Sequence, residues 1–237
     1  MVNPARCRAA AVVLAAGSGT RMGSEGNKVF LPLAGRSLLS WTLDAVSQTP
    51  EFVRTILVIR PEDRALVESI LKRDTADNSV EVIEGGASRH ESEYNALKYL
   101  ASDIEAERID VVVVHDAARP LAGVAMMRAA VAVAHEFGGA VPALPAAELV
   151  HVTSEGEICT VPERHLVRVQ TPQAFRAQPL LTAFEAAVAA GFEGTDTAAS
   201  IENFADLTVR TFPGSERNLK VTFAHDLSLA ERLLDQR

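Results

Sequence analysis

The chain has 237 residues, a formal net charge of −8 and an apolar fraction of 48%. That length and apolar content suffice for the core of one large α/β domain, while the excess of carboxylates excludes a general nucleic-acid or membrane surface, either of which attracts clustered Lys and Arg. The two cysteines, Cys7 and Cys159, form no C-x-x-C pair and no Cys/His zinc spacing, so free thiols in a reducing cytoplasm are expected.

The eight apolar residues at 9–16, behind Arg6 and Arg8, imitate a short signal peptide, but the run is short for a secretory segment and far below a membrane span. A core strand at 9–14 accounts for it better, ending in the Gly-rich stretch LAAGSGTRMG at 14–23. Helical spacing follows at 38–48, an apolar strand at 55–59, a helix at 62–73 and a strand at 80–83. The next helix, at 89–101, has a sequence-level start signal: Ser88 and Glu91 make an S-x-x-E capping box. VVVV at 111–114, within a strand at 110–115, has no polar residue and suits a central strand covered on both faces. A helix at 122–137 follows it, and further helices are expected at 179–190 and 224–235. Strands alternating with helices imply a mostly parallel sheet with crossover helices. One segment breaks the rhythm: at 144–168, ELVHVTSEGEICTVP reads as two short strands around Ser154-Glu155-Gly156, a hairpin arm inserted in the domain. No repeat, low-complexity tract or Gly/Ser linker marks a boundary, so the expectation is a single domain over 1–237.

The opening loop can be tested against known phosphate-binding spacings. Gly17, Gly19 and Gly23 give G-x-G-x-x-x-G, one residue too long for a dinucleotide fingerprint, and no acidic residue ends a second strand about twenty residues on. No G-K-[ST] occurs, which removes a Walker A loop. What remains is a small-residue loop whose backbone N–H groups can approach a phosphate, followed by the cations Arg21 and Lys28. The stretch VVVVHDAARP ends its strand in His115, Asp116 and Arg119, where open α/β sheets bind ligands. Asp116 beside a phosphate loop suits Mg²⁺. No H-E-x-x-H or G-x-S-x-G occurs, and Trp41 and the phenylalanines read as core residues.

Six stretches, in order and spacing, resemble the 2-C-methyl-D-erythritol 4-phosphate cytidylyltransferase family: LAAGSGTRM with Lys28, GGASR with Ser92, HDAARP, QTPQAF at 170–175, TDTAAS at 195–200 and NLKVT at 218–222. The resemblance implies a Rossmann-like nucleotidyltransferase fold and transfer of CMP from CTP to a polyol phosphate, with Mg²⁺. By the same resemblance Ala15, Ala16, Gly17, Gly19, Arg21 and Lys28 bind the triphosphate, and Gly85, Gly86, Arg89 and Ser92 contact cytosine and its ribose. Asp116 holds the metal, Arg119 shapes the acceptor pocket, and Thr171 and Lys220 complete the site. Family members are homodimers through the arm, and Arg164 is the candidate to reach the partner's acceptor site.

The chemistry this implies is attack of an acceptor phosphate oxygen on the α-phosphorus of CTP, with Arg21, Lys28 and Lys220 converging on that phosphate. A phosphate monoester is already ionised, so no general base is needed. The chain departs from the family's usual pattern at Glu148-Leu149, where Asp-Thr is usual, and at Asn27, where Pro precedes the Lys. Ala87 replaces an acidic residue found in some members, and Arg164 sits two rather than three residues before a Leu. The acceptor-side changes keep ribitol 5-phosphate or another polyol phosphate open as the acceptor, and a non-catalytic CTP-binding homologue as a second class. An NAD-linked oxidoreductase fails on the loop spacing.

Overall fold

Buried apolar runs supply the centre of the sheet. In the computed structural model, which describes residues 7–17, 27–74, 79–146, 151–152, 154–155, 157–159 and 166–235, strands β1 (Ala9–Leu14), β4 (Phe52–Ile59), β5 (Val80–Glu84) and β6 (Val111–Asp116) lie parallel in the order β6-β1-β4-β5. Two short strands, β2 (Pro32–Leu33) and β3 (Arg36–Ser37), form a separate antiparallel pair between the first two. Alternation sends Val112 and Val114 to one face and Val111 and Val113 to the other, all at most 1% exposed, as expected of a strand with no polar residue in its first four positions.

Helices cover both faces. Beside Ala10, Val12, Ile56 and Val58 pack α3 (Arg89–Glu105), α5 (Ala177–Ala189) and α6 (Thr197–Phe204). Against Ala11, Val13, Leu57 and Ile59 pack α1 (Leu38–Ser47), α2 (Arg64–Asp74) and α4 (Gly123–Phe137). A last helix, α7 (Ala224–Asp235), closes a smaller cluster around Leu33, Leu38, Leu121 and Val221. The start of α3 follows its sequence signal with one change of partner. Ser88 Oγ accepts the Glu91 N–H at 3.1 Å, whereas the Glu91 carboxylate reaches past Ser88 to accept the Ala87 N–H at 2.7 Å.

The second half of the sheet is antiparallel in part and was not expected strand by strand. Its strands are β7 (Gly139–Pro145), β10 (Val167–Val169), β11 (Gln173–Arg176) and β12 (Val209–Pro213). β11 inserts between β6 and β7 and runs antiparallel to both, β10 pairs with the far end of β7, and β12 runs parallel to β7. Between β10 and β11 the chain turns through Gln170 and a cis Thr171–Pro172 peptide. The arm is present as β8 (His151–Val152) and β9 (Ile158–Cys159), which among the described residues pair with each other. Among the described residues no helix is long and apolar enough to cross a membrane. Cys7 is buried and free, and burial pushes its thiol up to about 11, so it stays protonated and inert.

Candidate functional site

The carboxyl ends of the four parallel strands converge on one cleft of about 700 Å³. The ladder continues past the strand ends and fixes the loops there: Ala15 N–H donates to Val58 O at 2.8 Å, Gly85 N–H to Ile59 O at 2.8 Å and Ala117 N–H to Leu14 O at 3.0 Å. The cleft is lined by Ala15, Ala16 and Gly17 after β1, by Lys28, by Gly85, Gly86, Arg89 and Ser92 after β5, by Asp116 at the end of β6, and by Lys220. These ten are sequence-predicted site residues brought together from five separate places in the chain. Gly19, Arg21, Glu148, Leu149 and Arg164 lie outside the described residues.

Glycine is required at 85 and 86 because the backbone there lies against other groups. A Cβ on Gly85 would stand 2.7 Å from the Ala16 Cβ and 2.8 Å from Ser92 Oγ, and one on Gly86 would overlap the Glu91 side chain at 2.2 Å. Ser92 is committed to this loop as well: its hydroxyl donates to Ser88 O at 2.8 Å and accepts the Gly86 N–H at 3.0 Å. A Cβ on Gly17 would meet nothing within 4 Å among the described residues.

Asp116 is the electrostatic centre. One carboxylate oxygen pairs with Arg89 Nη1 and the other with Lys220 Nζ at 2.7 Å, while Arg119 Nε stands 3.9 Å away. Burial alone would push this carboxyl up, but Arg89 and then Lys220 overcome it and hold it far below the usual range. Arg89 is itself shared, its Nε standing 2.8 Å from Glu93. Burial would weaken the Arg89 charge, and the carboxylates of Asp116 and Glu93 reverse that and keep it fixed. Two donors beside Asp116, Arg89 Nη2 and Arg119 Nε, are buried without a hydrogen-bond partner among the described residues. Such orphaned donors are what a ligand oxygen would satisfy.

Behind the carboxylate lies a hydrogen-bonded scaffold. The Asp116 N–H donates to Thr171 Oγ1 at 3.0 Å, and the Thr171 hydroxyl meets His115 Nδ1 at 3.1 Å. The other ring nitrogen, Nε2, lies 3.1 Å from the Arg119 carbonyl, which can only accept. Burial lowers His115 to about 4, so the ring is neutral, with its proton on Nε2 and Nδ1 accepting from Thr171. Thr171 thus faces Asp116 from behind and does not line the cleft. Arg119 donates to Asn218 O at 2.8 Å, and Asn218 Nδ2 donates to Thr171 O at 2.9 Å. Gln170 Nε2 holds Ser215 O and Asn218 O at 2.8 and 3.2 Å, and Val221 N–H donates to Ala118 O at 2.8 Å. These bonds explain why Lys220, about a hundred residues beyond Asp116 in the chain, is found opposite it.

One participant, Glu93, lies outside the stretches singled out in the sequence. Glu93 is 1% exposed and accepts from the Thr197 hydroxyl at 3.0 Å, tying Arg89 to the first residue of α6. Its spacing from Arg89, i to i+4 on a helix, is the trace that could have found it. Gln173 joins the same region, donating to Asp196 at 2.9 Å and accepting from the Ala198 N–H at 3.2 Å. As to metals, no group of three or more His, Cys, Asp or Glu that could cage an ion occurs among the described residues. Asp116 is a single buried carboxylate at the end of the cleft, with one oxygen paired to Arg89 and the other to Lys220.

Comparison with known proteins agrees in extent. A family model described as "2-C-methyl-D-erythritol 4-phosphate cytidylyltransferase" matches residues 9–236. A relative of that name from Cereibacter sphaeroides is 39% identical over 226 residues, covering 95% of this chain and 96% of the relative. One from Solibacter usitatus is 36% identical over 239 residues, covering 96% of each. The solved 4-diphosphocytidyl-2C-methyl-D-erythritol synthase of Anaerococcus prevotii superposes with a TM-score of 0.85 at 27% identity, over 100% of both chains. The 2-C-methyl-D-erythritol 4-phosphate cytidylyltransferase of Thermus thermophilus gives 0.69 at 28%, over 94% of this chain and 98% of the other.

Proposed function

This chain belongs to the 2-C-methyl-D-erythritol 4-phosphate cytidylyltransferase family, and from that membership we propose how its residues carry the reaction. The reaction itself is transfer of the cytidylyl group of CTP to 2-C-methyl-D-erythritol 4-phosphate with release of pyrophosphate, a step of isoprenoid precursor synthesis. Ribitol 5-phosphate is thereby displaced as an alternative acceptor.

An oxygen of the acceptor phosphate attacks the α-phosphorus, the bond to the bridging oxygen of the β-phosphate breaks, and pyrophosphate leaves with the electron pair. Two anions must meet, and negative charge collects on the α-phosphate oxygens, so positioning and fixed positive charge do the catalysis. Lys28, Lys220 and Arg21 supply that charge. Lys220 exchanges part of its pairing with Asp116 for the phosphate as the nucleotide enters. The backbone of Ala15, Ala16, Gly17 and Gly19 receives the triphosphate, and the loop of Gly85, Gly86, Arg89 and Ser92 receives cytidine. Asp116 is the residue that would hold a Mg²⁺ ion, which when bound would supply Lewis-acid neutralisation of the triphosphate. Thr171 keeps the Asp116 backbone in place, and Arg119 borders the acceptor. The whole chain acts as one nucleotidyltransferase domain in the cytoplasm. The arm at 144–168 joins two copies, with Arg164 completing the partner's acceptor site.

The observation that carries this reading is the Arg89–Asp116–Lys220 cluster at the mouth of a loop where glycine is sterically required. Pyrophosphate release should require CTP, methylerythritol phosphate and Mg²⁺ together. ATP, GTP and UTP should replace CTP poorly, and ribitol 5-phosphate should not replace the acceptor. Equal turnover with ribitol 5-phosphate, or turnover unaffected by a chelator, would overturn the acceptor or metal assignment respectively.

A further inference from the structure

Asn27 immediately precedes Lys28. It is 5% exposed, and every polar atom of its side chain is used. Oδ1 accepts the Val29 N–H at 3.3 Å and caps the short 3-10 turn Lys28–Phe30. Nδ2 donates both to Ala15 O at 2.5 Å, on the strand end that opens the phosphate loop, and to Asp63 Oδ2 at 3.0 Å. Asp63, 7% exposed, is gripped by Arg60 through two bonds of 2.8 Å, and Arg60 itself lines the cleft. One side chain thus bonds three segments of the cleft wall: the end of β1, the Lys28 turn and the turn between β4 and α2.

The Asn27 amide is a hydrogen-bonded clamp across these segments. A buried amide with all its bonds made resists displacement, because each broken bond leaves a desolvated group behind. We propose that Asn27 is a positioning residue for the transfer reaction: through Ala15 O and Asp63 it fixes the turn that carries Lys28, and so sets where that ammonium meets the triphosphate. Its partner Asp63 is the anchor, held by Arg60. The inference rests on the reading of Lys28 as a catalytic cation.

The test is a kinetic cycle with Asn27→Ala, Lys28→Ala and the double variant, each first checked for folding by thermal melting. Misplacing a positioned group by about 1 Å can cost up to about a hundredfold in rate. Asn27→Ala is expected to lower kcat by about tenfold or more while the KM for the acceptor stays put, and the double variant should be no slower than Lys28→Ala. A normal kcat in Asn27→Ala with only a lower melting temperature would overturn the proposal, as would losses that multiply in the double variant. Failure of the Lys28 reading shows separately, as near-normal turnover of Lys28→Ala alone. Should Asn27→Ala not fold, a charge swap takes its place. Asn27→Asp sets a carboxylate against Ala15 O and Asp63, and adding Asp63→Asn restores a donor between positions 27 and 63. Partial recovery of kcat in the swapped pair is expected, and no recovery at all would overturn the Asn27–Asp63 link.

Discussion

The two sides of Asp116 are built differently. On the cleft side its carboxylate meets Arg89 and Lys220, whose side chains are 27% and 37% exposed. Behind it stand Thr171, His115 and Asn218, at 4%, 1% and 0% exposure, bonded to one another and to the backbone. The first side holds cations that solvent or a ligand can reach. The second holds neutral groups with fixed partners, whose rearrangement would strand buried donors. A site that must gather anions without moving needs both kinds of surface, and preorganised charge acts most strongly where its support cannot relax.

The sharpest way to break this comparison is to remove a charge from the cleft side. Lys220→Ala is expected to lower kcat by about a hundredfold to a thousandfold, by analogy with loss of one donor to a developing oxyanion, with a smaller change in CTP binding. Steady-state kinetics with CTP varied at saturating acceptor measures both. A loss confined to KM would make Lys220 a ground-state contact and erase the distinction between the two sides.

Next in size is Gly85→Ala. The added Cβ collides with Ala16 and Ser92 Oγ, joining the two halves of the nucleotide loop, and overpacking of this kind typically costs about 1–3 kcal/mol. Much of that should appear as weaker CTP binding, roughly a tenfold rise in Kd by titration calorimetry, because the strained atoms are in the cleft wall. Unchanged affinity with a lower melting temperature would mean that the loop yields away from the ligand.

A milder change addresses the rear. Thr171→Val keeps shape but removes the acceptor of the Asp116 N–H and the donor to His115, leaving a buried donor unsatisfied at a cost of about 1–3 kcal/mol. Stability to urea should fall by about that amount, while kcat drops only severalfold. If Thr171→Val slowed turnover as much as Lys220→Ala, the rear would be reacting machinery, not support.

How much of this could be read from the sequence follows the same division. The parallel half of the sheet was legible, since β1 spans the expected 9–14 and VVVV is covered on both faces. Apolar strands that end in glycines or charges announce both themselves and the cleft. The other half was not. Gly139–Pro145 is interrupted by two prolines, and β10 and β11, three and four residues long with Pro172 between them, are too short to show a period of two. The eight-residue α6 was missed for the same reason. Among site residues, those that a ligand would touch lay in recognisable motifs. Of the residues that hold them, Gln173 and Asn218 also lie in those stretches but their supporting role does not show there, and Glu93 lies outside them; all three act through partners remote in the chain, and only the fold brings those together.

Glu93 offers the smallest effect and the most discriminating one, since it supports a cleft-side cation from behind. Burial pushes its carboxyl from 4.5 up to about 7, outweighing the opposing pull of Arg89 and the Thr197 hydroxyl. Between those values the folded chain keeps a proton that the unfolded chain has released, so this group's contribution to stability is complete below about 4.5 and is lost as pH rises to about 7. His115 works in the opposite sense: burial lowers it from 6.5 to about 4, so its contribution is lost as pH falls through that range. The two slopes oppose each other over most of the window, and the melting curve of the unaltered chain hides both. Glu93→Gln separates them, because glutamine can still accept from Thr197 and never ionises. The melting temperature of Glu93→Gln relative to the parent should rise between about pH 5 and pH 7, by a few degrees given about 2–4 °C per kcal/mol in a chain of this size. A difference that stays constant across the range would mean that Glu93 is ionised throughout. Arg89 would then be held between two full negative charges, Asp116 and Glu93.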